Sequence, residues 1–86
     1  MILDILTPEK KVYSGEVSSV RFPGSKGSFE VLQNHAPLIS SLKEGKIRIK
    51  GTGKGDTREF AISSGFVEVL NNKVTVLVEG VKEAEK

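Results

Sequence analysis

Apolar residues along this chain recur at every second position and in short runs, and that period decides the class of fold open to it. In Lys46-Ile47-Arg48-Ile49-Lys50 and Val74-Thr75-Val76-Leu77-Val78, the alternation sends one set of side chains to each side of an extended strand, so that one face is buried and the other wet. Helical spacing is scarce. Similar segments rich in Val, Ile and Phe occupy residues 2–6, 11–13, 16–22, 28–32, 58–62 and 66–70, which predicts about eight strands. Turn-forming residues separate them at close intervals: Ser14-Gly15, Pro23-Gly24-Ser25-Lys26-Gly27, Asn34-His35-Ala36-Pro37, Glu44-Gly45, Gly51-Thr52-Gly53-Lys54-Gly55-Asp56, Ser64-Gly65 and Asn71-Asn72. This rhythm predicts an all-β sandwich or barrel. Asn71-Asn72, held between two alternating runs, predicts a two-residue hairpin turn, because Asn tolerates positive φ. Residues 38–42 read equally as a strand or as a short helical turn opened by Pro37. The polar residues 81–86 fall short of the roughly 12–15 residues that an isolated helix needs. A folded unit over 1–80 with a frayed polar tail over 81–86 is the expectation.

Composition narrows the function classes. A chain of 86 residues holds one small domain, which buries about 60% of its unfolded surface. Its 37% hydrophobic and 28% charged residues lie far from the low-hydrophobicity signature of disorder. With no cysteine, neither a disulfide framework, a thiolate metal site nor a Cys nucleophile is available. No apolar run approaches the roughly 18–20 residues that cross a bilayer, and Met1-Ile2-Leu3-Asp4 lacks a basic-then-apolar signal pattern. A soluble protein kept in the cytoplasm is therefore expected. A net charge of +2 from 13 basic and 11 acidic side chains is too small to identify an anionic partner.

Catalytic and ligand-binding constellations are poorly supplied. The single histidine, His35, has no second His and no Cys to complete a metal site or a thiol–imidazole pair. As a general base it would also need a nucleophile in reach, so a role in fixing its turn or touching a partner is the better reading. Asp4, Glu30, Glu59, Glu68 and Glu79 fall beside apolar strand positions, which puts them on solvent faces. The glycine run 51–55 is not a phosphate loop, since Lys54 is followed by Gly55 where Ser or Thr belongs; it reads as a hairpin tip. Lys43, Lys46, Arg48, Lys50, Lys54 and Arg58 form a basic stretch, but Glu44, Asp56 and Glu59 dilute it. Phe22, Phe29, Phe60, Phe66 and Tyr13 lie outside that stretch, mostly in apolar strand contexts that serve a core better than a stacked base. No cofactor, metal or nucleic acid is expected, and the residues alone point to a binding or structural module more than to an enzyme. The alternatives left open are a stand-alone β-barrel module for nucleic acid or another anionic ligand, and a small barrel enzyme using His35.

The segment Val20-Arg21-Phe22-Pro23-Gly24-Ser25-Lys26-Gly27-Ser28-Phe29-Glu30-Val31-Leu32-Gln33-Asn34-His35-Ala36-Pro37-Leu38-Ile39 resembles the G-x-x-G-x-(L/F)-x-(I/V)-(L/Y)-x-x-H-A-P-L-L pattern of the epsilon subunits of F-type ATP synthases. Leu3-Asp4-Ile5-Leu6-Thr7-Pro8-Glu9, Tyr13-Ser14-Gly15 and Ser64-Gly65-Phe66-Val67-Glu68-Val69, the last running on to Asn72 and Val74-Thr75-Val76-Leu77, extend the likeness over nearly the whole chain. The resemblance implies a sandwich of two five-stranded sheets in the central stalk, joining gamma to the membrane-embedded c ring. It implies no chemistry, only stiff coupling of proton-driven rotation to ATP synthesis elsewhere. By position, Gly24, Ser25, Lys26, Gly27 and Ser28 match the stretch that faces the c ring, where Lys26 would meet acidic loops. Thr7, His35, Leu38 and Ser40 match positions that look toward gamma, and Leu38 or Ile39 is expected to be an exposed apolar anchor. Gln33-Asn34 stands where many members carry Pro-Gly, and Ser64-Gly65-Phe66 where many carry Gly-Gly-Phe. Members typically continue into a two-helix C-terminal domain that can inhibit ATP hydrolysis and in some binds ATP. A chain ending at Lys86 is expected to form no such hairpin, either as a natural short form or as a shortened chain, and to neither inhibit nor sense ATP. The remaining expectations are a monomer when isolated and, in the assembly, a peripheral position on the cytoplasmic face of the bacterial inner membrane.

Overall fold

In the computed structural model, which describes residues 1–53 and 55–84, the alternating segments form nine strands: β1 (Ile2–Leu6), β2 (Lys11–Phe22), β3 (Phe29–Leu32), β4 (Leu38–Leu42), β5 (Gly45–Gly51), β6 (Thr57–Ile62), β7 (Ser64–Leu70), β8 (Lys73–Glu79) and β9 (Lys82–Ala84). The long β2 belongs to two layers. Its first half pairs with β1, as Asp4↔Ser14 and Ile2↔Glu16, and its second half pairs with β3 and β5. A first sheet of order β4-β7-β8-β1-β2 and a second of order β3-β2-β5-β6-β9 result, one continuous open sheet folded over at β2 into a sandwich. Where β2 passes between layers, its register slips between Val17 and Ser19. The extra residue, Ser18, donates its hydroxyl to the Lys50 and Gly51 carbonyls at 3.1 and 3.2 Å, which anchors the bulge.

Alternation along each strand then fills the interior. Leu3, Ile5, Val67, Val69, Val74 and Val76 of the first sheet meet Val20, Phe22, Val31, Ile47, Ile49 and Phe60 of the second in one buried cluster. Each such side chain contributes roughly 1.5–3 kcal/mol by leaving water. Asn71 and Asn72 turn at φ 52° and 63° and leave Leu70 opposite Lys73, the hairpin that the sequence predicts.

Several expectations need correction. Residues 11–13 and 16–22 are one strand, because Gly15 pairs with Leu3 and the Ser14 hydroxyl donates to the Asp4 carboxylate at 2.6 Å instead of turning the chain. Ser64-Gly65 opens β7 and is not a turn. Residues 38–42 are a strand on β7, and Lys82–Ala84 are not frayed but paired with β6. Phe66 is not a core residue, since it is 61% exposed. Phe22 and Phe60 are fully buried, with Phe29 packed against Phe22 at the margin, ring centres 5.6 Å apart. At the glycine-rich tip, Gly51 and Asp56 close the β5–β6 connection through a 2.6 Å backbone hydrogen bond; Lys54 lies outside the described residues. No helix among the described residues is long and apolar enough to cross a membrane.

Candidate functional site

The β2–β3 loop, matched by resemblance to a c-ring contact, is stitched to the edge strand β4. Gly24 bridges to Leu42, the Ser25 amide donates to the Ser41 carbonyl at 3.0 Å, and the Ser41 hydroxyl donates to the Ser25 hydroxyl at 2.8 Å. Gly24 has no room for a side chain: a Cβ there would stand 2.5 Å from the Gly27 carbonyl oxygen and 2.8 Å from the Phe29 ring. The loop, with Ser25, Lys26, Gly27 and Ser28, borders an open groove of about 520 Å³ whose other wall is Ile39, Ser40 and Ser41. One of the four gamma-matched residues, Ser40, therefore shares a groove with the c-ring-matched loop.

The other three gamma-matched residues are dispersed. Thr7 closes the β1–β2 turn, its hydroxyl accepting from the Glu9 and Lys10 amides at 3.2 and 3.1 Å. His35 stands at the opposite end of the first sheet, beside the β7–β8 hairpin. Its Nδ1 donates to the Ala36 carbonyl at 2.8 Å, and the preceding Asn34, at φ 60°, donates its amide to the Asn72 side chain at 2.8 Å. Asn72 in turn donates to Gln33 Oε1 at 3.2 Å, which also accepts from the Met1 ammonium at 2.9 Å. Gln33-Asn34 thus ties the His35 turn to the hairpin and the first strand. Leu38 is half-buried and packs onto the core; of the two residues expected to be exposed, only its neighbour Ile39 stands open, 76% exposed.

Side chains that the sequence analysis did not bring together share the outside of the first sheet. The pairing registers align Ser41, Phe66, Leu77 and Leu6 in one row across the outside of the first sheet. Ile39, Glu68, Thr75, Asp4 and Ser14 make the next row, and Leu70, Lys73, Ile2 and Glu16 a third. Leu77 is 53% exposed, and Ile2 and Leu70 are also open to solvent. A groove of about 640 Å³ runs past Pro8, Ser64, Phe66, Leu77 and Glu79 at one end of this face. In the middle row the Ser14 hydroxyl, with Lys11 and Lys73 nearby, holds the Asp4 carboxyl below its ordinary value, and Lys73 Nζ lies 3.7 Å away. Large apolar side chains exposed in rows on both sides of a polar row fit a contact surface, because exposed apolar area marks docking sites. The signal was present in Phe66-Val67-Glu68-Val69-Leu70, where both alternating sets carry apolar residues.

The outside of the second sheet differs. Glu59 neutralises Arg48 at 2.7 Å and lies 4.0 Å from Lys46, while Arg58 turns inward onto Glu83 at 2.8 Å. The basic stretch of the sequence is thereby divided between two faces and partly paired.

Residues 1–84 match the model of the ATP synthase delta/epsilon chain β-sandwich domain. An ATP synthase epsilon chain of Pelotomaculum thermopropionicum is 48% identical over 84 residues, covering 98% of this chain and 61% of its own length. The epsilon chain of Chlorobium limicola is 47% identical over 79 residues, covering 92% of this chain and 89% of its own length. The present sequence thus spans less than two thirds of the first relative and most of the second. Among solved structures, a chain of the Euglena gracilis mitochondrial ATP synthase, OSCP/F1/c-ring, superposes with a TM-score of 0.89 at 20% identity, over 96% of this chain and 52% of its own. A chain of the Tetrahymena thermophila mitochondrial ATP synthase central stalk and c ring gives 0.82 at 20%, over 95% and 65%; at that identity the likeness is one of fold. Two five-stranded layers joined through β2, together with these sequence matches along the full register of strands, make this chain a member of the ATP synthase delta/epsilon chain β-sandwich family.

Proposed function

We propose that this chain is a non-catalytic rotor component, a rigid adaptor between gamma and the c ring of an ATP synthase, peripheral to the cytoplasmic face of the membrane through that assembly. The observation that carries the reading is the outer face of the first sheet, where Phe66, Leu77 and Ile39 stand exposed on the face that also carries Asp4. A face of that kind suits permanent docking onto gamma, since burying each large side chain adds roughly 1.5–3 kcal/mol to a contact. The loop 24–28, braced against β4, suits a lighter contact with polar ring loops, in which an exposed Lys26 adds at most about 1 kcal/mol.

Size-exclusion co-elution with the cognate alpha/beta/gamma head, at low and at moderate salt, tests this. Stoichiometric co-elution that survives salt is expected, as is its loss in Phe66→Asp and Ile39→Asp with unchanged circular dichroism. Leu38→Asp is a poor probe, because that side chain packs on the core and its replacement costs stability. Co-elution undisturbed by both exposed substitutions would remove the first-sheet face from the interface. Absence of binding by a folded wild-type chain would remove the adaptor reading.

A further inference from the structure

β9 places Lys82, Glu83 and Ala84 opposite Ala61, Phe60 and Glu59 at the far edge of the second sheet. Pairing each of these residues with an edge strand costs conformational entropy that its ladder hydrogen bonds alone scarcely offset. A side-chain fork supplies the rest. Arg58 donates from Nε and Nη2 to the two carboxylate oxygens of Glu83 at 2.8 and 2.9 Å. Its guanidinium carbon lies 5.0 Å from the centre of the Tyr13 ring and 5.5 Å from that of Phe60, and those two rings meet edge to face at 5.9 Å. Tyr13 comes from the first-sheet half of β2 and Phe60 from the second sheet, so one arginine gathers both layers and β9 at the rim where the sandwich opens. The connection into β9 turns at Gly80 with φ 65°, and the Ser63 side chain fills the space a Cβ would take there.

We propose that β9 is a detachable strap fastened by the Arg58–Glu83 fork, and that its release frees the β6 edge from Glu59 to Ala61 to accept an extended segment of another chain bearing a carboxylate in the Glu83 position. Both partners of the fork are nearly half exposed, which leaves it open to solvent and salt. The charged forms favour closure: the mutual hydrogen bond holds Glu83 below and Arg58 above their ordinary values, with Tyr13 and Asp56 also facing the guanidinium. Opening leaves the β5–β6 ladder intact on the other side of β6, so the event is local. An uncovered strand edge presents unpaired amides and carbonyls, the usual template for strand addition. Arg58 would select an acidic residue in the incoming strand.

Tyr13 is the only tyrosine and the chain has no tryptophan, so acrylamide quenching of its fluorescence reads the clasp while amide hydrogen exchange reads the strap. In Glu83→Gln, the amides of 82–84 and those of β6 facing them are expected to exchange several-fold faster and Tyr13 to become more quenchable. Ile47 and Val74 should keep wild-type exchange rates. A synthetic peptide of residues 79–86 should restore slow exchange on β6 in that variant, and the same peptide with Gln in the Glu83 position should not. Unchanged exchange and quenching would overturn the strap, as would uniform acceleration across both sheets. Equal action, or inaction, of the two peptides would overturn the strand-accepting edge.

Discussion

Two glycines that look alike in sequence do unlike work. A Cβ on Gly65 would stand 2.5 Å from the Leu77 carbonyl oxygen and 3.1 Å from the Val78 side chain, and the carbonyl cannot retreat without breaking the β7–β8 ladder. A Cβ on Gly15 would meet only the hydroxyl end of Tyr13, at 3.2 Å, which can swing aside. Gly65→Ala should therefore lower the free energy of unfolding by about 1–3 kcal/mol, the usual range for overpacking, and Gly15→Ala by a few tenths, both read from urea midpoints. Equal costs would sink this steric account. Both Ser-Gly pairs read as turns from sequence because Ser and Gly break strands on average. Neither does so here, because the Ser14 hydroxyl has Asp4 across the strand and Gly65 is needed for close approach inside one. Such reasons are tertiary, and no local pattern carries them. Asp4 offers a second test at this scale. Its carboxyl lies below the ordinary value of 3.8, chiefly through Ser14. The stabilisation is then fully present above that ordinary value and lost as pH falls through the lower folded one. Asp4→Asn should be less stable than wild type near neutrality by about 1 kcal/mol or less at this partly exposed site. The two should converge in acid, so a gap independent of pH would assign the effect to shape.

At the scale of elements, what was legible was whatever a strand's own residues decide. The Asn71-Asn72 hairpin followed from residue type, and the observed φ values of 52° and 63° belong to the turn that such pairs favour. The two residues are nonetheless distinguishable, because the Asn72 side chain also accepts the Asn34 amide and donates to Gln33. Asn71→Gly should be neutral or slightly stabilising. Asn72→Gly should cost about 1 kcal/mol through the lost hydrogen bonds and loosen the His35 turn, seen as faster exchange of the Asn34 and His35 amides. Unaltered exchange there would dissociate the turn from the hairpin. Membership of a layer was not legible. Residues 11–22 pair with β1 over one half and with β3 and β5 over the other, and a twelve-residue strand that changes sheets at a bulge looks in sequence like two strands with a Ser-Gly turn between them. The exposure of Phe66 and Leu70 was hidden for a related reason. Phe66 and Leu70 are apolar like their inward neighbours Val67 and Val69, so period 2 marks a strand without saying which set meets the core.

The whole molecule is small, and its dimensions of 29 × 26 × 25 Å enclose a core thin enough that a partner should contribute measurably to its stability. Disulfides are absent from the chain, so its interior rests on apolar packing between the two layers, the regime in which domains of this size keep only a few kcal/mol in hand. A partner that binds the folded state alone adds RT ln(1 + [L]/Kd), about 2.7 kcal/mol when the free partner is a hundredfold above Kd. For a domain of this size each kcal/mol moves the melting midpoint by roughly 4–8 °C, so a gamma-containing head added in that excess should raise the chain's midpoint by about 10–20 °C. The rise should grow with the logarithm of partner concentration. The outer face of the first sheet lies on the opposite side of the core from Arg48, Glu59 and the rest of the second sheet's exterior, so the two exteriors should contribute separably. Phe66→Asp should melt by itself within a degree or two of wild type, because its side chain is 61% exposed, yet show no rise with the head. Arg48→Ala should keep the rise. A Phe66→Asp chain still stabilised like wild type, with Arg48→Ala losing the effect, would move the docking surface to the second sheet and turn the proposed orientation of the sandwich around.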